Sequence, residues 1–238
     1  MLGHPDSAQA MMDTALVRAQ KLSHGHTETF ALCYQATLHQ YSGNAALAAA
    51  SAKMAIDVAS EHSIRQWLAW GTILSGWALA IEGQIDEGLE RLQEGLDSWR
   101  VKELFAVPYF LGLKAEVLGA AERFDEGIAS LRMALEISGK GNQCFYVAEL
   151  HRLKSVLLQK QGHVDEAEDC LQRGLELARK QKAKSIELRI AIILGRLWKE
   201  QNKVAEAHKL LDGVSSWFTE GFDTADIRKA KVIMEELA

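Results

Sequence analysis

Short turns recur along the chain at Gly3, Gly43, Gly83, Glu122, Gly162 and Asn202, separated by 40, 40, 39, 40 and 40 residues. A period of this size means stacked supersecondary units, each too small to bury its apolar face alone. The turns read alike, as in Gly83-Gln84-Ile85-Asp86-Glu87-Gly88 and Gly162-His163-Val164-Asp165-Glu166-Ala167. Each opens on a residue, usually Gly or Asn, that can end a helix at positive φ. Asp stands three residues on in four of the six turns, placed to cap the following helix. Small residues keep fixed offsets: Ala8, Ala48, Gly88, Gly127, Ala167 and Ala207 lie five after the turn, and Ala15, Ala55, Gly95, Ala134 and Gly174 lie twelve after. Ala36, Gly76, Ala115, Ser155 and Gly195 lie seven before it, and Leu92, Leu131, Leu171 and Leu211 nine after. Small faces let two helix axes approach, so each period reads as an antiparallel helix pair with leucines facing the next pair. Only two prolines, Pro5 and Pro108, interrupt the chain, which suits long helices.

The fold expected is all-α, a single solenoid over 1–238. It comprises a lone helix at 5–22, pairs at 27–62, 64–101, 104–139, 144–182 and 184–218, and a capping helix at 224–237. That last helix carries Ile227, Ala230, Ile233, Met234 and Leu237 on one face. Ser138-Gly139-Lys140-Gly141-Asn142-Gln143 reads as a loop between pairs, and His24-Gly25-His26 as another. Asp223 or Thr224 is expected to cap the final helix, with Phe218 and Phe222 plugging the gap before it.

The small-residue grid, the Gly turn and the paired alanines of each second helix resemble the tetratricopeptide repeat. That resemblance implies a right-handed superhelix of helix pairs. The period is longer than the usual repeat of about 34 residues, and the Trp near the start of the first helix is absent. HEAT repeats have about this period, but the Gly turn and small-residue grid favour the tetratricopeptide type. The last 95 residues carry further resemblance, through Ala148-Glu149-Leu150-His151-Arg152-Leu153, Ser185-Ile186-Glu187-Leu188-Arg189, Leu194-Gly195-Arg196-Leu197-Trp198 and Trp217-Phe218-Thr219-Glu220-Gly221-Phe222. These segments are similar to the C-terminal repeat arm of large bacterial regulators, in which a cyclase or LuxR-type domain accompanies a STAND-type ATPase. The resemblance implies a sensing or scaffolding arm and carries over no catalytic residue.

Chemistry is sparse. Ser138-Gly139-Lys140-Gly141 lacks the spacing of a phosphate-binding loop. His24 and His26 have no third ligand nearby, and zinc needs three or four. Cys33, Cys144 and Cys170 are scattered, which fits a reducing, cytoplasmic setting better than a disulfide framework. The carboxylate pairs recur at one place in every repeat, which marks a structural position rather than an acid–base site. No enzyme activity, cofactor or metal is expected. The net charge of −5 gives no basic field for nucleic acid, and no apolar run is long enough to span a membrane.

The expected binding surface is the face made by the first helices of the pairs. It carries Phe30, Trp70, Tyr109, Glu149 and Arg189 thirteen before each turn. Six before stand Trp77, Glu116 and Arg196, and ten before stand Ile73 and Arg152. Aromatic and Arg side chains together make interface hot spots; the competing reading is that Trp70 and Trp77 fill space between neighbouring helices. The function expected is a protein or peptide interaction scaffold, the alternative a small-molecule effector-sensing domain. The first repeat lacks its first helix, leaving Met11, Met12 and Leu16 without a neighbour. The first 63 residues carry only eight charged side chains, so a homodimer through residues 5–60, or contact there with a preceding domain of a longer parent, is also expected.

Overall fold

The computed structural model describes residues 1–99, 106–141 and 145–237. The described residues form twelve helices and no strand: α1 (Pro5–Lys21), α2 (Gly25–Tyr41), α3 (Ala45–Glu61), α4 (Arg65–Ile81), α5 (Ile85–Ser98), α6 (Val107–Ala120), α7 (Phe124–Gly141), α8 (Val147–Lys160), α9 (Val164–Lys180), α10 (Lys184–Glu200), α11 (Val204–Ser215) and α12 (Ala225–Glu236). The expected helix ends at 101 and 104, and Cys144, lie outside the described residues.

One turn builds most of the chain. At the first complete example the Gly43 N–H donates to the Gln40 carbonyl and the Asn44 N–H to the His39 carbonyl, both at 2.9 Å. This 5→2, 6→1 pairing closes a helix around one left-handed residue. Gly43 has φ +71°, and Gly83, Glu122, Gly162 and Asn202 take the same place with φ of 99°, 58°, 82° and 61°. The turns between repeats use the same device on residues the sequence does not flag, Ser63 (φ 55°) and Lys182 (φ 56°), with identical hydrogen bonds. Residue Asn44 also caps α3, its Oδ1 accepting from the Leu47 N–H at 3.0 Å.

Four expectations change here. Asp86 and Asp165 do not cap: the N-cap residues are Gln84 and His163, and the aspartates sit inside the first turn, where they meet the positive end of the helix dipole. Helix α7 continues to Gly141, so Ser138, Gly139 and Lys140 are helical. The buried Ser138 hydroxyl donates back to the Ala134 carbonyl, and Lys140 pairs with Glu136 one turn earlier. Asn142 and Gln143 lie outside the described residues. His24-Gly25-His26 is no loop either, because His24 is the N-cap of α2 and Gly25 and His26 are its first turn. At the end of the chain Thr224 is the N-cap of α12, but its hydroxyl donates to the Gly221 carbonyl at 2.7 Å; Phe218 is buried against Ile227 while Phe222 is half exposed.

The chain divides into two compact units, Asp6–Ser130 and Met1–Pro5 with Leu131–Ala238. Within the first, α2, α3, α4 and α5 pack in sequence, and α2, α4 and α6 form a row of first helices. The axes close up on small residues: a Cβ added to Gly76 would fall 2.6 Å from the Gly88 carbonyl oxygen, and one on Gly95 2.9 Å from that of Ala69. Within the second unit, α8, α10 and α12 form the corresponding row. Helix α12 buries Ile227, Ala230 and Ile233 in a core with Leu188, Ile192, Leu211 and Val214. Residues Met1–Pro5 belong to this unit, the Met1 carbonyl accepting from the Ser185 N–H at 3.1 Å and His4 stacking on Trp217.

Candidate partner-binding surface

In the first unit the predicted stripe is an aromatic core. Trp70, Ile73, Trp77 and Tyr109 are 4%, 0%, 3% and 2% exposed. Trp70 lies among Tyr34, Trp67, Trp99, Tyr109 and Phe110, with ring centroids 5.0–6.4 Å apart. Three polar edges are satisfied inside the unit: Trp70 Nε1 donates to Thr37 Oγ1 at 3.1 Å, the Tyr109 hydroxyl to Gln40 Oε1 at 3.0 Å, and Trp77 Nε1 to Glu116 Oε2 at 2.7 Å, while the buried Trp99 Nε1 has no partner among the described residues. Burial raises the Tyr109 hydroxyl well above its ordinary range. These four residues are therefore corrected from groove wall to interior. Aromatic rings of α2, α4 and α6 pack against one another across the row, so the indole of Trp70 has no solvent side left. Phe30 alone of the aromatic set stays open, at 44% exposed.

In the second unit the charged half of the stripe forms one network. Glu149 is 4% exposed and takes both prongs of the Arg152 guanidinium, at 2.9 and 2.7 Å. Arg189 reaches Glu149 at 3.6 Å and donates through Nε to Asp226 of α12 at 2.7 Å. Burial opposes ionisation of Glu149, but Arg152 and Arg189 outweigh it and hold the carboxyl below its usual range. Burial likewise opposes charge on Arg189, and Glu149 with Asp226 overrides it. Arg152 and Arg189 are thus committed to carboxylates of their own unit, whereas Arg196 is exposed on α10. The sequence pattern did not single out Asp226, or the buried Glu187 held by Arg179 at 3.0 Å and Lys184 at 2.7 Å.

Helices α1 and α2 enclose an apolar groove of about 780 Å³. Met11, Met12, Ala15 and Arg18 line it from α1, and Phe30 and Tyr34 from α2. Met11 is 74% exposed, while Met12 and Leu16 are half-buried. Its only charged lining residue is Arg18. Behind it the aromatic row begins: Phe30 stacks on Tyr34 at 4.6 Å and meets Trp67 edge-on at 5.1 Å.

The two histidines of the first α2 turn serve the fold. The His24 ring accepts from the Thr27 N–H, and His26 Nε2 accepts from Trp67 Nε1 at 3.2 Å. Among the described residues no group of three or more His, Cys, Asp or Glu is arranged to hold a metal ion, and no helix is long and apolar enough to cross a membrane.

No family profile matches the chain. An uncharacterized protein of Rhizobium meliloti (strain 1021) is 26% identical over 208 residues, 82% of this chain and 20% of that protein. The chain thus spans about a fifth of that relative's length. Among solved structures it is similar to a Rap protein complexed with Competence and Sporulation Factor, with TM-score 0.63 and 13% identity over 88% of this chain and 63% of that one. Aspartyl phosphate phosphatase F from Bacillus subtilis gives 0.59 and 12%, covering 97% and 64%. The tetratricopeptide-like repeats of a Podosopora anserina kinesin light chain give 0.54 and 16%, covering 78% and 92%. The fold is that of a tetratricopeptide-like helical repeat.

Proposed function

We propose that this chain is a protein-interaction module, the repeat arm of a larger bacterial signalling or transcription regulator, working by presenting a preformed surface rather than by catalysis. The observation that carries this reading is the α1–α2 groove, where Met11 and Phe30 stand exposed on rigid helices. Contiguous exposed apolar surface on an otherwise well-packed unit marks a site for another macromolecule. The match to a fifth of a longer bacterial relative supports the role of an arm, and the similar Rap structure holds a bound factor. The buried thiols of Cys33 and Cys170 suit a cytoplasmic setting. The exposed guanidinium of Arg196, on a separate unit, is proposed as a second contact for an acidic partner.

A library of displayed helical peptides selected against the whole chain tests the reading. Selected peptides are expected to lose at least about tenfold in affinity on Phe30→Asp, while helical content is unchanged. A selection that yields no binder, or binders indifferent to Phe30, would overturn it.

A further inference from the structure

We infer that the turn Gly3-His4-Pro5 is a releasable clasp, seated in a socket that the second unit builds from the start of α10 and the turn between α11 and α12. The inference is independent of the α1–α2 groove.

Three other turn glycines stand in open space: around Gly43, Gly83 and Gly162 no described atom lies within 4 Å of an added Cβ. Gly3 shares their left-handed backbone, with φ +98°, yet it is buried. A Cβ there would fall 2.6 Å from the Trp217 ring and 2.8 Å from Lys184 Cβ. Backbone conformation alone therefore does not account for glycine at this position; the seat demands it too. The fit continues along the turn. The His4 ring stacks on Trp217 with centroids 5.1 Å apart, and Lys184 Nζ lies 5.8 Å from the centre of the indole. The Pro5 ring fills the space beside Gly221, where an added Cβ would collide with Pro5 Cγ.

A backbone contact joins the same seat. Helix α10 starts without a side-chain cap, because its N-cap residue is Ala183. The Ser185 N–H, which a capping side chain would ordinarily engage, donates to the Met1 carbonyl instead at 3.1 Å. Seating the turn thus completes the start of a helix, and releasing it returns one backbone donor to water. The seat is shallow. Leu2 is 62% exposed and His4 is exposed, so release brings little new apolar surface into water. Local opening of such a segment does not require the helices around it to unfold. The chain leaves the second unit at Pro5 and re-enters it at Leu131. Release leaves only the second of these crossings anchored, and it bares the Trp217 face and the Ser185 N–H together.

Hydrogen exchange at the Ser185 amide of the whole chain reads the clasp. Gly3→Val should speed exchange there about tenfold or more, while helical content and melting stay near those of the parent. An acetylated peptide of residues 1–7, added in trans, should restore protection to the Gly3→Val chain and fail to do so once Trp217→Ala is added. Residues fused before Met1 should leave the parent's protection intact, because Gly3, His4 and Pro5 make the seat. Exchange at Ser185 that Gly3→Val leaves unchanged overturns the inference, as does a peptide that restores nothing or acts equally without Trp217. Loss of protection in the fused chain overturns it as well. Loss of helical content in Gly3→Val does the same, since the turn would then belong to the packed core rather than to a detachable part.

Discussion

Trp77 shows what a single side chain contributes here. Its ring is 3% exposed and its N–H is bonded to Glu116, so Trp77→Ala leaves a cavity and removes that hydrogen bond. A loss of about 3–5 kcal/mol is expected in urea unfolding; a variant that melts like the parent would return Trp77 to a binding role. Glu149 gives a pH-dependent test. Its folded-state pKa is depressed because Arg152 and Arg189 outweigh burial. Its contribution is therefore present above the unfolded carboxyl value of about 4.3 and lost as pH falls through the lower folded value. Glu149→Gln should cost about 3 kcal/mol at neutral pH and flatten the acid limb of stability against pH; an unchanged acid limb would refute the assignment. The sequence showed that aromatic and Arg residues share one face of the first helices. It could not show which side of that face is filled, since Trp70 and Trp77 recur at the same spacing whether they line a trough or close one. The need of Arg189 for a carboxylate was legible in burial logic; its partner Asp226 sits 37 residues away on another helix, beyond any local pattern.

At the level of helices, the forty-residue beat was plain because Gly and Asn mark the turn within each pair. The turn between pairs was not, because Ser63 and Lys182 reach the left-handed region at modest strain without being the residues that favour it. Two glycines separate the reasons for having one. At Gly43 nothing lies within 4 Å of an added Cβ, so Gly43→Ala suffers only from the backbone conformation and should cost about 1 kcal/mol. At Gly76 the added carbon meets the backbone of α5 on two sides, at 2.5 and 2.6 Å, which no side-chain rotation relieves. Gly76→Ala should cost about 3 kcal/mol, and thermal melts of the two variants should rank in that order. Equal effects would mean that the α4–α5 approach is less close than the structure has it.

Across the whole molecule the two units keep their interiors by different chemistry. Asp6–Ser130 buries neutral pairs, Trp70 with Thr37 and Tyr109 with Gln40, and its Lys53–Asp57 ion pair is exposed. Leu131–Ala238 buries ionised Glu149 and places Glu187 at 4% side-chain exposure between two cations. Acid should therefore loosen the second unit first. Limited pepsin digestion at about pH 4, near the carboxyl range, is expected to cut within 145–237 before 6–99; the reverse order would show that the aromatic interior is the weaker one. Helices α2 to α5 begin at Gly25, Ala45, Arg65 and Ile85, so every twenty residues the backbone returns to the same local state. Excising residues 45–84 would join Asn44 directly to Ile85 and leave a normal turn behind at Gly43. A gene written in this way can gain or lose a forty-codon block by recombination without needing a new junction, so size becomes a heritable quantity that changes in whole steps.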